Sequence, residues 1–338
     1  MANHANSILA AAIYGASQNL QAVESRRKKY GATSAFLANM QSFDYNARLA
    51  TVDQKPATIR MLKTDATTAG STVSCNPSGT GGDSVDFALT WNTASVPLTI
   101  AESLAIENQM TLEQMVTQDM DNAWRGLHNK IEADALTFLE ANRSGYDNGS
   151  GLSTWVSAAS ANYRSIPVAS KDLMRSYMKE EIQSMDFDTP IDIIHSSPYG
   201  AFWGNTNIQG DGNARNYQDQ DPDYSYFRTS NAVSVASTYG GMYLVPHGGI
   251  NIIFWVAPRY RKNTIKGDKQ WSTVKDPIFG MPTSVYTKSD CADTSAMGGE
   301  AVDDVTSAQF SIEYAFVYSE ITAPALATPI MKYALATT

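Results

Sequence analysis

The segment Leu112 to Ala141 limits more than any other what this chain can become. Leu112, Val116, Met120, Ala123, Leu127, Ile131, Ala135 and Phe138 follow at spacings of three and four, which gathers side chains on one face of an α-helix. Thr111 and Gln114 make a capping-box pair at its start, no proline interrupts it, and Gly126 is its only glycine. At 1.5 Å per residue the helix is about 45 Å long, enough to brace a whole domain. Asp119, Asp121, Arg125, Lys130, Glu132 and Asp134 lie on its other faces, so one stripe is expected to be buried. Leu112, Val116, Met120, Leu127, Ile131 and Phe138 are its candidate core residues.

Before the helix, Lys55 to about Ile100 reads as a long polar β-hairpin. One arm is KPATIRMLKTDATTAGSTV and the other SVDFALTWNTASVPLTI, with the small-residue tip CNPSGTGGD (Cys75 to Asp83) between them. Branched and aromatic residues favour strands here, but little alternating apolar character is seen to bury against a core of their own. A lone two-stranded ribbon is marginal in water. Something outside its domain is therefore expected to support it, and another copy of the chain is the simplest candidate. Ile59, Met61, Leu62, Phe87, Leu89 and Trp91 are the expected contacts with a neighbour, Trp91 being the strongest anchor. The competing expectation is that they fold onto their own helix.

The 338 residues suit one large or two ordinary domains, and 43% hydrophobic residues allow a sizeable core. Charged residues make up 17% and net charge is −9, which argues against a protein that binds nucleic acid by neutralising phosphates. Cys75 and Cys291, the only cysteines, show no disulfide framework and suit a reducing compartment. The N-terminal MANHANSILAAAIYG has no basic n-region, and no stretch approaches the ~20 apolar residues of a membrane helix. The expectation is a soluble, unsecreted protein.

Residues 1 to about 50 read as an arm with helical pieces, on the spacing of Ile8, Leu9, Ala12 and Ile13 and then Leu20 and Val23. Arg26, Arg27, Lys28 and Lys29 follow as a solvated helix end, and Gly31 is expected to end that piece. Ser170 starts a second helix whose inner face is Leu173, Met174, Tyr177, Met178 and Ile182. PIDIIHSS, MYLVPHGG and INIIFWVAP read as strands, and Gly204 to Tyr226 as loop. Arg259 to Asp276 reads as a basic loop, and KSDCADTSAMGG as a loop holding Cys291. From Gln309 to Ile321 the aromatic and aliphatic residues alternate as in a strand, and PIMKYAL makes one further short strand.

The search for chemistry finds no supported site. His4 and His128 read as surface or packing residues, and HSSPYG around His195 lacks the Gly-x-Ser-x-Gly elbow. His247 in PHGGI has no nucleophile with a supporting motif. Asp219, Asp221 and Asp223 resemble the start of a calcium loop, but Pro222, Tyr224 and Ser230 break the pattern. GTGGDS lacks the phosphate-loop lysine and reads as turn chemistry. No catalytic residue, cofactor or metal is assigned, and the chain is not expected to be an enzyme.

The order of these elements resembles the major capsid proteins of tailed bacteriophages, the Hong Kong 97 type. The resemblance implies an α+β fold: an N-terminal arm (1–50), an extended β-hairpin loop (51–104), and a peripheral domain (105–185) with a spine helix at 112–141. A mixed α/β axial domain (186–300) follows, and then a strand returning to the peripheral domain (301–338). It further implies self-assembly into the hexamers and pentamers of an icosahedral shell that encloses double-stranded DNA without sequence-specific binding. The virion capsid is the implied location, with synthesis in the host cytoplasm. A separate scaffolding protein, a portal and a cement protein are the implied partners, and no membrane is involved. Lys55 and Lys63 lie in the element that cross-links in some relatives, but that chemistry is not carried over. An extracellular carbohydrate-binding or adhesive protein is the alternative class, and a hydrolase the third. Gel filtration with negative-stain microscopy separates shells from monomers.

Overall fold

The computed structural model describes residues 9–16, 29–38, 49, 51–64, 84–101, 111–144, 153–156, 163–167, 170, 173–184, 187, 190–196, 223–230, 240–292, 295, 303–318, 321–322 and 330–335. The fold is α+β, with two six-stranded sheets and a small three-stranded one.

The long helix spans Leu112–Ala141, the predicted limits, and Thr111 and Gln114 form the reciprocal capping box. Residues 9–16 are labelled α1, Gly31–Ala38 α2 and this helix α3. Val116, Met120, Leu127 and Ile131 are buried, while Leu112 and Phe138 are partly buried against the same cluster. The buried part of α3 is wider than one stripe, because Asp121, His128 and Glu132 are buried too. Glu132 accepts from the Ala32 and Thr33 amides (3.0 and 2.9 Å) and from Thr33 Oγ1 (2.8 Å). A carboxylate there satisfies orphan donors at the start of α2 and opposes the positive end of its dipole. Gly31 therefore opens a helix, and the piece it was expected to end lies outside the described residues. A Cβ on it would sit 2.6 Å from the Arg228 carbonyl, so that close approach needs glycine.

The first large sheet is built on Asp303–Tyr318 (β13), which pairs antiparallel with Asn92–Ala101 (β3), Ile250–Trp255 (β9) and Pro282–Ala292 (β12). Lys269–Lys275 (β11) and Ile265–Lys266 (β10) extend it beyond β12. Alternation along β13 sends Phe310, Ile312, Tyr314 and Phe316 into the core that holds α3, and Ala315 and Val317 into a second cluster on the opposite face. β3 also alternates, with Ala94, Leu98 and Ile100 buried.

Three sequence readings change here. The second hairpin arm does not run on to Ile100: β3 leaves the ribbon and joins β13. Arg259 to Asp276 is not loop but a short helix, Pro258–Arg261 (α5), followed by the β10–β11 hairpin, whose two-residue turn begins at Gly267 with φ +63°. Cys291 lies in β12, opposite Asp304, and is exposed.

The second large sheet has the order β4-β5-β15-β8-β6-β7. Its strands are Thr154–Val156, Tyr163–Ile166, Ile191–His195 (β6), Tyr224–Arg228 (β7), Gly241–Pro246 (β8) and Met331–Leu335 (β15), the first two being β4 and β5. Met174–Gln183 is the helix α4; its Met174, Met178 and Ile182 pack on Ile191, Ile193, Met242 and Leu244. Leu173, expected on that inner face, is 52% exposed. Ile194, Tyr243 and Val245, from the alternate positions of β6 and β8, enter the core of the first sheet. Strands β6 and β8 are thus buried on both sides.

The segment boundaries expected from sequence cut across these sheets. α4 belongs with the second sheet rather than with 105–185, and β9, β11 and β12 lie in the first sheet rather than with a separate 186–300 unit. After β13 the chain crosses over, and β15 completes the second sheet.

Candidate functional site

The ribbon consists of Thr58–Thr64 (β1) and Ser84–Ala88 (β2), antiparallel from Thr58↔Ala88 to Leu62↔Ser84. Two residues, Ile321–Thr322 (β14), run parallel to the far end of β1. Arg60 and Asp86 face each other with a 3.1 Å ion pair and are both exposed. The expected tip, Cys75 to Asp83, lies outside the described residues, as do the side chains of Met61 and Leu62.

The root of the ribbon is fastened to its own body. Ile59 is 5% exposed and packs with Leu49, Ile253, Ala315 and Val317, while Phe87, Leu89 and Trp91 are partly buried against the same cluster. Phe87 meets Tyr318 edge-on at 5.7 Å. Trp91 Nε1 donates to the Pro56 carbonyl (2.7 Å), and Leu89 N to that of Ala57 (2.9 Å). Lys55 pairs with Glu313 at 2.5 Å and lies over the rings of Trp91 and Trp255 at 5.2 and 5.7 Å. Burying one large aliphatic side chain stabilises by about 1.5–3 kcal/mol, against about 0.2–1 for a half-exposed ion pair. The apolar root, with Ile59 at its centre, is the main fastening.

This corrects the reading of Ile59 as a contact for a neighbour: its surface is spent within the subunit. Phe87, Leu89 and Trp91 keep some exposed surface but share that intramolecular role. Leu89 and Trp91 pack on the sheet face opposite α3, while Phe87 also meets Tyr318, which lies on the α3 face beside Phe138. The missed signal was the alternation Ala315, Val317 and Ile253, which makes the second face of β13 and β9 apolar as well.

Elsewhere, polar clusters hold the two sheets together. Glu140, in the last turn of α3, accepts from Lys332 Nζ (3.0 and 2.9 Å) and from the Tyr243 hydroxyl. Burial pushes the Glu140 carboxyl up, but those hydrogen bonds and the charges of Lys332 and Arg143 outweigh it, so it titrates below its ordinary value. Burial, reinforced by Glu140, pushes the Tyr243 hydroxyl far up. His128, read as surface or packing, is fully buried and makes a 2.7 Å contact with Asp276 Oδ1, tying α3 to the turn before β12.

As to chemistry, His247 Nδ1 lies 3.0 Å from Asp192 Oδ1. That is a base and its orienting carboxylate, but among the described residues no hydroxyl or thiol is hydrogen-bonded to His247. Asp223 pairs with Lys179 at 2.6 Å, while Asp219 and Asp221 lie outside the described residues. Among the described residues no group of three or more His, Cys, Asp or Glu is placed to hold a metal ion. No described helix is long and apolar enough to cross a membrane.

Neither a protein-family description nor a curated protein matches this chain. Solved structures do resemble it. A structure from Mycobacterium phage Che8 is 11% identical, with 88% of this chain and 90% of that one aligned and a TM-score of 0.48. One titled "Cyanophage Pam1 capsid asymmetric unit" is 10% identical, with 85% and 86% aligned and a TM-score of 0.47. One titled "Capsid of native GTA particle computed with C5 symmetry" is 10% identical, with 89% and 90% aligned and a TM-score of 0.43.

Proposed function

We propose that this chain is the major capsid protein of a tailed bacteriophage. In this reading it is a non-enzymatic subunit that assembles as hexamers and pentamers into an icosahedral shell around double-stranded DNA. The observation that carries it is the ribbon. Its root is fixed to the sheet by Ile59, Leu89 and Trp91, so the strands leave the body at a set angle. Within β2, Asp86 and Ala88 are exposed, and no described strand pairs with its outer edge. An exposed strand edge is a ready template for another chain. A solitary subunit gains little from such an element, whereas a lattice gains contact area at every copy. Obligate interfaces bury about 2,000 Å² or more, and closed rings multiply modest contacts.

The second observation is the brace. α3 runs 30 residues across a sheet whose central strand is buried on both faces from Tyr314 to Val317. That gives the subunit the stiffness a curved shell requires. The virion is its location in this reading, and a scaffolding protein, a portal and a cement protein are its partners.

The test removes residues 65–83 and closes β1 to β2 with Asn-Gly. The expected product is a folded monomer with an unchanged melting profile that forms no rings or shells by negative-stain microscopy. Normal particles from that variant sink the reading. The alternative, a carbohydrate-binding or adhesive protein, predicts a monomer for the unaltered chain as well.

A further inference from the structure

The β10–β12 side of the first sheet carries an excess of positive charge that the net −9 of the whole chain conceals. Residues 259–275 hold six Lys and Arg and one Asp, so the rest of the chain has 19 basic residues against 33 acidic. Val274 of β11 and Val285 of β12 turn into the core that holds α3. By alternation, Lys269, Trp271, Thr273 and Lys275 of β11 lie on the other face, with Tyr286 and Lys288 of β12. The register sets Lys266 opposite Lys269, and Lys269 opposite Lys288. Trp271 lies against Tyr286 (5.5 Å between ring centroids), with the Arg259 guanidinium above Trp271 at 5.9 Å.

Arg259, Lys266, Lys269 and Lys275 are exposed, and among the described residues none of the four has an ion-pair partner. Lys288 differs: it pairs with Asp290 and also feels the charge of Asp268. Like charges set directly opposite one another destabilise a strand pair. Fold stability therefore does not account for this array.

The spacing of the cations fits a dense, regular anion. Strands lie about 4.8 Å apart and residues about 3.4 Å along each, so the array covers roughly 10 Å across the strands and 20 Å along β11. A DNA duplex carries one phosphate charge per about 1.7 Å of axis, about twelve over that length. Carboxylates on one face of a strand recur no more often than about every 6.8 Å. Arg259, stacked on Trp271, holds its planar fork of N–H donors ready for a phosphate. Such backbone contacts carry no sequence information, as enclosure without sequence-specific binding requires.

We infer that the face formed by Arg259, Lys266, Lys269, Lys275 and Lys288 is a contact surface for the phosphate backbone of double-stranded DNA. The inference rests on the capsid reading and names the part of the subunit that the enclosed DNA meets. The acidic remainder of the chain repels the same polyanion. The duplex is therefore met at this face and let go readily as salt rises.

The experiment titrates a fluorescent 30-mer DNA duplex with the full chain, with K266Q/K269Q, and with K130Q/K179Q, which removes equal charge on α3 and α4. Binding is read by anisotropy from about 0.05 to 0.2 M salt, and assembly of each protein by negative-stain microscopy. Four cations without acidic partners predict a log–log salt slope of about −3.6, a loss of roughly 150-fold in affinity over that range. K266Q/K269Q is expected to lose about half of that slope and at least about tenfold in affinity at about 0.1 M salt, while K130Q/K179Q stays within about twofold. Unchanged melting shows that each variant folds. Absence of binding by the unaltered chain, or equal weakening by both variants, overturns the inference; shells in the same sample leave the capsid reading standing. Unchanged duplex binding with impaired assembly of K266Q/K269Q overturns it in favour of a contact between copies. Duplex binding at this face by a chain that forms no ring or shell keeps the phosphate surface and removes the capsid reading.

Discussion

In the first sheet the central strand is 16 residues long and stacks Phe310, Ile312, Tyr314 and Phe316 on a 30-residue helix. In the second sheet no strand exceeds six residues, and its interior holds Arg164, Glu181 and the Tyr333 hydroxyl, hydrogen-bonded to one another. Burial and the neighbouring Glu181 push that hydroxyl well above its ordinary range. The first sheet is held chiefly by apolar area over a long repeat, which is non-directional and tolerates gradual change. The second is held by fewer groups with strict partners, where losing one leaves a buried charge exposed to nothing.

The contrast breaks most severely with Ala123→Pro. The position is 3% exposed in mid-helix, and proline costs about 3 kcal/mol or more while splitting the face that holds the first sheet. Loss of the cooperative melting transition in circular dichroism is the expected result; an unaltered melt contradicts the role of α3. Next is Glu181→Ala, which takes the carboxylate partner from Arg164, 1% exposed, and is expected to destabilise by about 3–5 kcal/mol, measured by urea unfolding. Under about 1 kcal/mol would show the second sheet to be no more polar in its support than the first.

Smaller is Glu132→Ala. It removes three hydrogen bonds at the start of α2, for about 2 kcal/mol, with faster amide exchange confined to Gly31–Ala38. Global loss of protection would show instead that the carboxylate supports α3 itself.

The smallest effect concerns pH. Burial, aided by the charge of Arg228, holds His195 below its ordinary value despite its contact with the Ser196 carbonyl. The unfolded chain then takes up a proton at a higher pH than the folded one, so stability declines as pH falls below about 6.5. Asn at this position should flatten that decline in melting scans between about pH 7 and 5.5. An unchanged slope would place the sensitivity elsewhere.

Legibility in the sequence followed the range of the interactions. α3 was readable to its ends because its cap and its repeat are local. β13 was readable from alternation, though it begins at Asp303 rather than near Gln309. β3 was misassigned to the ribbon because a hairpin partner 30 residues away seemed the natural mate; its real one lies some 200 residues on. The alternation of Ala94, Val96, Leu98 and Ile100 was the signal that it faced a core. The turn Gly267-Asp268 could have revealed the β10–β11 hairpin, but basic composition hid it. Glu132 at the start of α2, and the root contacts of Ile59, join positions far apart in the chain, and no local pattern announces them.

The position of β13 has a consequence for synthesis. β3 leaves the ribosome early and waits for its partner while about 200 further residues are made, roughly 10–40 s at ordinary elongation rates. Until then the plate on which the ribbon is mounted does not exist. The first sheet is thereby withheld until those later residues have been made, a timer written into the order of its strands.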